Sequence, residues 1–376
     1  MKLDTICVHG ARDKNNHTGS LAVPIYQSAT YAHPAVGQST GYDYARVQNP
    51  TREALEGLVA AMERGREALA FSCGMAAMDA VLALFGPGDH IICADDLYGG
   101  SVRLLASLER RMGISVDYLD ANDRETLQGA LRPETRAVFI ETPSNPMMKV
   151  TDIRAVRETI GPAVKLIVDN TFLTPIFQRP LELGADMSLH SGTKYLAGHN
   201  DTLAGFVVTN DAGDAELLRH ATKTVGSGLT PFDSFLVIRG LKTLPLRMAK
   251  SQENALALAE FLGRHHRVAK VFYPGLIDHP GREISLRQSS GFGAMISFEV
   301  DSEDTAKKVL EKVGLILYAE SLGGVETLIT YPLIQTHADV PVETRESLGI
   351  NGRLLRLSVG VEALEDLLAD LAQALD

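Results

Sequence analysis

Apolar and polar positions along the chain change character near residue 51. The first 50 residues hold three prolines and four tyrosines without a sustained helical period, which predicts an irregular arm packed on another subunit. Over residues 51–62, apolar side chains recur at helical spacing. Leu55, Leu58, Val59 and Met62 are therefore predicted to share the buried face of a helix.

Short apolar runs then alternate with helical stretches as far as about residue 245. The predicted strands are Glu67–Phe71, His90–Ala94, Arg136–Glu141, Lys165–Asp169, Met187–His190 and Gly205–Val208. Helices are predicted between them, for example Ala76–Phe85 and Ser101–Met112. This alternation predicts an α/β fold in which helices cover both faces of a mostly parallel sheet.

The pattern changes again near residue 246. A long helix is predicted over Ala249–His265, followed by strands at Lys270–Tyr273 and Gly293–Glu299. A further helix, a strand pair and a final helix over Leu364–Leu375 complete the chain. The sequence thus predicts an arm (1–50), a large domain (51–245) and a smaller α+β domain (246–376).

Composition narrows the class of protein. Of 376 residues, 45% are apolar and 22% charged, which is typical of a globular protein. The net charge of −11 has the wrong sign for a general nucleic-acid binder. The N-terminus lacks the apolar core of a signal peptide, and no apolar run approaches the roughly 20 residues of a membrane span. A cytoplasmic protein without a membrane or nucleic-acid partner is expected.

Cysteine and motif counts exclude several kinds of site. The three cysteines form no CxxC pair, so neither a disulfide framework nor a zinc ribbon is predicted. The chain also lacks the GxGxxG and GxxxxGK[ST] loops of nucleotide-binding proteins and the HExxH motif of metalloproteases. No metal site is predicted.

Polar and glycine-rich residues follow several of the predicted strands. Ligand sites in open α/β sheets lie beyond the carboxyl ends of the strands, so these residues are predicted to converge at one edge. They include the segments 72–75, 95–100, 142–146, 169–171 and 191–194.

The segment Ser72–Met75 begins a predicted helix and is a candidate anion cradle. Backbone N–H groups at a helix N-terminus attract anions, and Ser191 and Thr193 add hydroxyl donors for the same phosphate. Simple capping of the helix by Ser72 is the alternative.

Three further residues suit an aldehyde cofactor bound beside that cradle. Lys194 can form a Schiff base, and Asp169 can keep a pyridinium nitrogen protonated. Tyr98 can stack on the ring. Taken singly, these residues also suit a helix cap, a surface lysine and a core tyrosine, but their convergence favours a pyridoxal phosphate (PLP) site.

Six stretches of the chain resemble motifs of the Cys/Met-metabolism family of PLP enzymes. They occur in order along essentially the whole chain: 44–51, 96–100, 141–146, 168–172, 189–199 and 355–360. The resemblance implies a fold-type-I PLP transferase with an N-terminal arm, a large cofactor domain and a small C-terminal domain. It also implies amino-acid substrates, a dimer that shares its active sites, and a tetramer made of two such dimers.

The resemblance assigns roles to individual residues. Lys194 matches the lysine that carries PLP, Asp169 the partner of the ring nitrogen, and Tyr98 the stacking tyrosine, and the remaining matches fall into three groups. Gly74, Met75, Ser191 and Thr193 match phosphate-binding positions. Tyr44 and Arg46 match a pair that reaches the cofactor of the neighbouring subunit. Arg356 matches the residue that binds the substrate α-carboxylate, and Asn145 and Ser321 match further substrate-binding positions.

Local features bear on the reaction. Methionine γ-lyases typically carry a cysteine where this chain has Gly100, and enteric-type cystathionine β-lyases carry a tryptophan that this chain lacks. The segment 319–326 resembles the version found in cystathionine γ-synthases and γ-lyases. The segments 37–46 and 327–337 resemble cystathionine γ-synthases of a Gram-positive type, some of which also use sulfide. The leading hypothesis is therefore γ-replacement on an O-acylated homoserine by cysteine, with Lys194, Tyr98 and the neighbour's Tyr44 moving protons.

Two alternatives stay open. A cystathionine β- or γ-lyase could be built from the same residues, with Glu320 sorting γ- from β-chemistry at the distal end of the substrate, or lying on a solvated loop without a role. The other alternative, an inactive interaction scaffold, conflicts with the intact set of Lys194, Asp169, Tyr98 and Arg356.

Overall fold

A seven-stranded sheet forms the centre of the larger part of the molecule. The computed structural model describes residues 1–13, 16–338 and 340–376. The strands of this sheet lie in the order β1-β7-β6-β5-β4-β2-β3, with β7 antiparallel to both neighbours and the other pairs parallel. Their bounds are β1 Glu67–Phe71, β2 His90–Ala94, β3 Ser115–Leu119, β4 Thr135–Glu141, β5 Lys165–Asp169, β6 Met187–Ser191 and β7 Gly205–Thr209.

A smaller sheet of five strands follows in the C-terminal part. Its order is β10-β11-β12-β9-β8, and only the pair β10 and β11 is parallel. The strands are β8 Val268–Phe272, β9 Met295–Val300, β10 Leu317–Tyr318, β11 Leu328–Thr330 and β12 Leu354–Ser358.

Helices connect most of the strands and cover the sheets. Asn49 caps α2 by accepting hydrogen bonds from the N–H groups of Thr51 and Arg52, and Pro50 supplies the fixed φ of the first helical position. The helices are α1 Leu3–His9, α2 Pro50–Glu63, α3 Gly74–Leu82, α4 Gly99–Met112, α5 Arg124–Ala130, α6 Ile153–Ile160, α7 Thr174–Phe177, α8 Ala212–Val225, α9 Pro231–Leu241, α10 Leu244–Arg264, α11 Arg282–Gln288, α12 Glu303–Lys312, α13 Val342–Leu348 and α14 Leu364–Leu375; a 3-10 helix spans Pro180–Leu183.

The two faces of the large sheet belong to different apolar clusters. Side chains alternate across a strand, so Ala68 and Ala70 of β1 lie in one cluster while Leu69 and Phe71 lie in the other. Both faces are therefore covered, which confirms the predicted α/β class. The first cluster continues beyond the large sheet: it joins side chains of α2, β7, α10, β9 and α14 into one core.

Most predicted elements are present, with two informative differences. Strand β3 was not predicted, because it lies at the sheet edge, alternates polar with apolar residues and has no continuous apolar run. Helix α10 begins at Leu244 rather than Ala249, with Pro245 in its first turn. One continuous helix thus runs through position 246.

Candidate active site

A cavity of about 360 Å³ lies at the carboxyl ends of β4, β5 and β6, beside the loop that holds residues 320–322. Its position agrees with the expectation for an open α/β sheet. Most of the residues singled out from the sequence line it: Gly74, Met75, Tyr98, Asn145, Asp169, Ser191, Thr193, Lys194, Glu320, Ser321 and Arg356.

Lys194 follows β6 in a tight turn, and its side chain reaches across the cavity. Its Nζ donates a hydrogen bond to Oγ of Ser321 at 2.7 Å. Burial, followed by the nearby Arg356 cation, lowers the pKa of Lys194 to about 8. A substantial fraction of this amine is therefore neutral, and nucleophilic, near neutral pH.

Two carboxyl groups, one buried (Glu141) and one half-buried (Asp169), lie side by side at the ends of neighbouring strands. Asp169 of β5 and Glu141 of β4 are register partners. Oδ1 of Asp169 accepts hydrogen bonds from the N–H of Thr171 at 2.9 Å and from its hydroxyl at 2.5 Å. Burial raises the pKa of Asp169. Burial, followed by the adjacent Asp169, raises the pKa of Glu141 well above its usual value.

These two carboxyl groups suit different roles. Oε2 of Glu141 accepts the backbone N–H of Tyr98 at 3.1 Å, which holds the segment bearing the tyrosine ring over the cavity. The two hydrogen bonds that Oδ1 of Asp169 accepts favour its ionised form, which suits a partner of a cationic ring nitrogen. Glu141 was not singled out from the sequence. The sequence feature that could have identified Glu141 is its position at the end of a predicted strand, at the start of the segment 141–146.

The cradle at the start of α3 is built by close backbone approaches. A Cβ on Gly74 would lie 3.0 Å from Cβ of Ser191, and a Cβ on Gly205 would lie 2.1 Å from the carbonyl oxygen of Cys73. The helix is capped by Cys73, whose Sγ accepts the N–H of Ala76 at 3.4 Å, so capping by Ser72 is wrong. Glycine at these positions lets the start of α3 pack closely on Ser191 and on the beginning of β7, so that the helix N-terminus lies at the cavity, where it can attract a phosphate.

The two predicted hydroxyl donors of the cradle differ in their contacts. The backbone N–H of Ser191 is bound by the hydroxyl of Thr171 at 2.9 Å. The hydroxyl of Thr193 donates to the carbonyl oxygen of Ala204 at 3.2 Å and accepts its N–H at 3.0 Å. Thr193 therefore also ties the lysine turn to the strand β7 that follows.

Arg356 of β12 is a buried guanidinium, with 1% of its surface exposed. It donates to Oδ1 of Asn145 at 2.7 Å, to the carbonyl oxygen of Ser321 at 3.0 Å and to the hydroxyl of Thr330 at 3.2 Å. Its Nε has no partner among the described residues. Burial lowers the pKa of Arg356 to about 10. A buried cationic fork that lines the cavity fits a carboxylate.

Tyr44 and Arg46 do not line the cavity of their own chain. Tyr44 is 45% exposed, and the Arg46 guanidinium lies 5.5 Å from the centre of its ring. Nη1 of Arg46 donates to the carbonyl oxygen of Lys223 at 2.5 Å. The tyrosine therefore stands at the surface of the arm, and its action at a neighbouring subunit stays a prediction.

The described residues contain no candidate membrane span and no candidate metal site. None of the helices there is long and apolar enough to span a bilayer. Within the ranges 1–13, 16–338 and 340–376, no group of three or more His, Cys, Asp or Glu side chains could hold a metal ion.

Comparison with known proteins gives a consistent picture over the full chain. Residues 4–376 match the family model described as Cys/Met metabolism PLP-dependent enzyme. The chain is 48% identical to a cystathionine gamma-lyase of Bacillus subtilis over 377 residues, covering 100% of both chains. It is 48% identical to a cystathionine beta-lyase of Lactococcus lactis, covering 100% of this chain and 99% of that one.

A solved structure of a related enzyme has nearly the same fold as this chain. The cystathionine gamma synthase of Xanthomonas oryzae, in complex with aminoacrylate and cysteine, superposes with a TM-score of 0.97 at 41% identity. The match covers 100% of this chain and 98% of that one.

Proposed function

Because the chain belongs to the Cys/Met-metabolism family of PLP-dependent enzymes, we propose that it is a trans-sulfuration enzyme whose main reaction is γ-replacement. The acyl group of an O-acylhomoserine would be replaced by the thiol of cysteine, giving cystathionine. The meeting of Lys194, Asp169 and Arg356 around one cavity carries the assignment of PLP chemistry on an amino acid. The choice of γ-replacement rests on the resemblance of segments 37–46 and 327–337 to γ-synthases.

The residues of the cavity fit the cofactor. Gly74 and Ser191, which line the cavity at the start of α3, would hold the phosphate, and Asp169 would bind the ring nitrogen. Lys194 would carry the aldehyde carbon, since burial keeps part of its amine neutral. When bound, pyridoxal phosphate supplies an electron sink for the carbanion formed at the substrate Cα.

The chain's own groups then divide the work on the substrate. Arg356 would bind the α-carboxylate, because its fork is buried and Asn145 fixes one of its arms. The Lys194 amine would take a proton first from Cα and then from Cβ, which lets the acyl group leave Cγ as a carboxylate. After the cysteine thiolate has bonded to Cγ, the same amine would return protons to Cβ and Cα, with Ser321 Oγ holding it in place at 2.7 Å. Tyr98 would cover the ring and assist protonation of the leaving group.

Glu320 is proposed to contact the distal end of the substrate. It lines the cavity, and its negative charge acts on both Lys194 and Arg356. Glu320→Ala should change the ratio of γ- to β-products, because the distal amino group loses its partner. The control is Glu326→Ala on the same segment, whose carboxylate binds Asn200 and lies outside the cavity. An unchanged product ratio in Glu320→Ala would remove this role.

A cystathionine β- or γ-lyase is the second candidate. It is favoured by the 48% identity to relatives named as a gamma-lyase and a beta-lyase. Both reactions need the same carboxylate clamp and the same base, so the difference lies in the fate of the substrate after Cα deprotonation.

A product assay distinguishes the two candidates. The PLP-loaded protein is incubated with O-acetylhomoserine and cysteine, and separately with cystathionine alone, and products are identified by mass. Cystathionine in the first reaction with little cleavage in the second supports the γ-synthase. Pyruvate or 2-oxobutyrate from the second, without synthesis in the first, makes the protein a β- or γ-lyase respectively. Lys194→Ala is the matched inactive control.

Tyr44 and Arg46 are proposed to act at the cofactor phosphate of a neighbouring subunit. Their position in the arm, outside their own cavity, supports this. The test mixes two inactive variants, Arg46→Ala and Lys194→Ala, after brief partial unfolding. Hybrid dimers contain one intact site, so activity should return on mixing. Mixtures that stay inactive would count against a shared site.

A further inference from the structure

The turn that carries Lys194 is held by its own backbone. The N–H of Ala197 donates to the carbonyl oxygen of Gly192 at 3.0 Å, and the N–H of Gly198 to that of Lys194 at 2.8 Å. Two carbonyl groups of this turn, those of Tyr195 and Leu196, point away from these bonds and both accept from Arg247 of α10.

Arg247 is a buried cation bound by neutral acceptors. Its Nη1 donates to the carbonyl oxygen of Tyr195 at 2.7 Å, its Nη2 to those of Leu196 at 3.4 Å and Gly240 at 2.9 Å, and its Nε to the hydroxyl of Thr243 at 3.3 Å. No carboxylate among the described residues forms an ion pair with it, and burial lowers its pKa to about 10. A buried charge without a counter-ion is costly, so its presence calls for an explanation.

Three glycines bring the turn into contact with its supports. Gly198 has φ +74°, and a Cβ there would lie 2.1 Å from Nη1 of Arg247. A Cβ on Gly240 would lie 2.2 Å from the carbonyl oxygen of Ala197. A Cβ on Gly323 would lie 2.5 Å from the backbone nitrogen of Tyr195. The turn therefore packs closely against Arg247, Gly240 and Gly323. Gly323 lies in the same segment as Ser321, which accepts the hydrogen bond of the Lys194 amine.

We propose that Arg247 is a positioning residue for Lys194. By binding the carbonyl groups that directly follow the lysine, its guanidinium fixes the turn and so sets where Nζ stands relative to Ser321 and to the bound cofactor. Only a planar fork reaches three carbonyl groups on two elements at once, whereas a lysine ammonium at this position lacks that geometry. This inference rests on the proposed role of Lys194.

The alternative is that Arg247 only stabilises the fold. Both explanations predict a loss of stability on substitution, so the test measures the chemistry of Lys194 as well. The variant is Arg247→Lys, which keeps the charge and loses the fork. Gly198→Ala disturbs the same contact from the opposite side. Met248→Leu is the matched control, because Met248 is a fully buried neighbour in α10 that makes no contact with the turn through a polar group.

Two quantities are measured on each protein after its melting temperature is recorded. The first is the rate at which the apoprotein attaches added pyridoxal phosphate, followed by visible absorbance. The second is kcat and KM of the loaded enzyme. Misplacement of a catalytic group by about 1 Å costs on the order of 100-fold in rate. Arg247→Lys and Gly198→Ala should therefore lose about 10- to 100-fold in attachment rate and in kcat, with KM little changed. Met248→Leu should lose stability alone.

The outcomes separate this inference from the proposed function. Wild-type attachment rate and kcat in folded Arg247→Lys would overturn the positioning role. Losses of attachment rate and kcat in Met248→Leu equal to those in Arg247→Lys, at a comparable melting temperature, would overturn it as well. If Arg247→Lys does not fold, Gly198→Ala decides on the same criteria. Attachment of cofactor by Lys194→Ala at the wild-type rate would instead contradict the proposed role of Lys194 itself.

Discussion

Attachment of the cofactor to the apoprotein should have a pH dependence unlike that of an ordinary lysine. Only the neutral amine attacks an aldehyde, so the rate follows the neutral fraction of Lys194. Burial, with Arg356 nearby, lowers the pKa of this amine from 10.5 to about 8. At pH 7 the neutral fraction is then roughly 10%, about 300-fold more than for an exposed lysine.

The sign of the dependence follows from the direction of this pKa change. Below about pH 8 the Lys194 amine is increasingly protonated and attachment slows; above it the rate levels off, well before 10.5. The perturbation that tests the cause is Arg356→Gln, which removes the neighbouring cation. Its rate curve should shift to higher pH, while burial keeps the midpoint below that of an exposed lysine.

The assay compares the apoprotein with a small exposed amine, N-acetyl-lysine, at each pH. Ionisation of free pyridoxal phosphate affects both reactions equally, so the ratio of rates reports on Lys194 alone. Lys194→Ala provides the background rate. A midpoint near 10.5, with a rate ratio that stays constant over pH, would refute the argument from burial.

Two other substitutions test the surroundings of the cavity. Arg356→Lys should raise KM for the amino-acid substrate, because a lysine lacks the guanidinium fork and loses one hydrogen bond to the substrate carboxylate, worth about 1.5–3 kcal/mol of binding free energy. Steady-state kinetics measure this KM. An unchanged KM would contradict the proposed binding of the α-carboxylate by Arg356. Glu63→Ala should destabilise the protein by about 1–3 kcal/mol, because its Oε1 is the hydrogen-bond partner of three buried groups: Nε2 of His190 at 2.5 Å, the hydroxyl of Ser188 at 2.9 Å and Nδ2 of Asn170 at 3.2 Å. Urea unfolding of Glu63→Ala would show a lower midpoint, whereas a wild-type curve would mean that this pair contributes nothing.

The parts of the fold predicted from sequence are those with a strong local signal. Strands β1, β2 and β5 have the predicted bounds because each is a continuous apolar run that ends in turn residues. Strand β3 carries no such run, since an edge strand needs an apolar face only where it meets helices. The first turns of α3 and α4 were missed because glycines begin both helices.

The residues of the candidate site likewise divide into those that the sequence predicts and those that it does not. Lys194 and Asp169 could be predicted because each follows or ends an apolar strand in a motif with specific neighbours. The contacts of Arg247 could not, since the carbonyl groups that it binds lie some 50 positions earlier and any residue type supplies a carbonyl. Glu141 stood within a recognised segment, but its place beside Asp169 follows only from strand register.

The continuous core described above has a consequence for recombining this protein with its relatives. Side chains of α2 and β7 share one cluster with those of α10, β9 and α14. A chimaera joined at position 246 would cut the sequence inside α10 and would pair one parent's apolar face with the other's. A chimaera is better tolerated when all residues of this shared cluster come from one parent. The two sheets are therefore inherited most safely as a single unit.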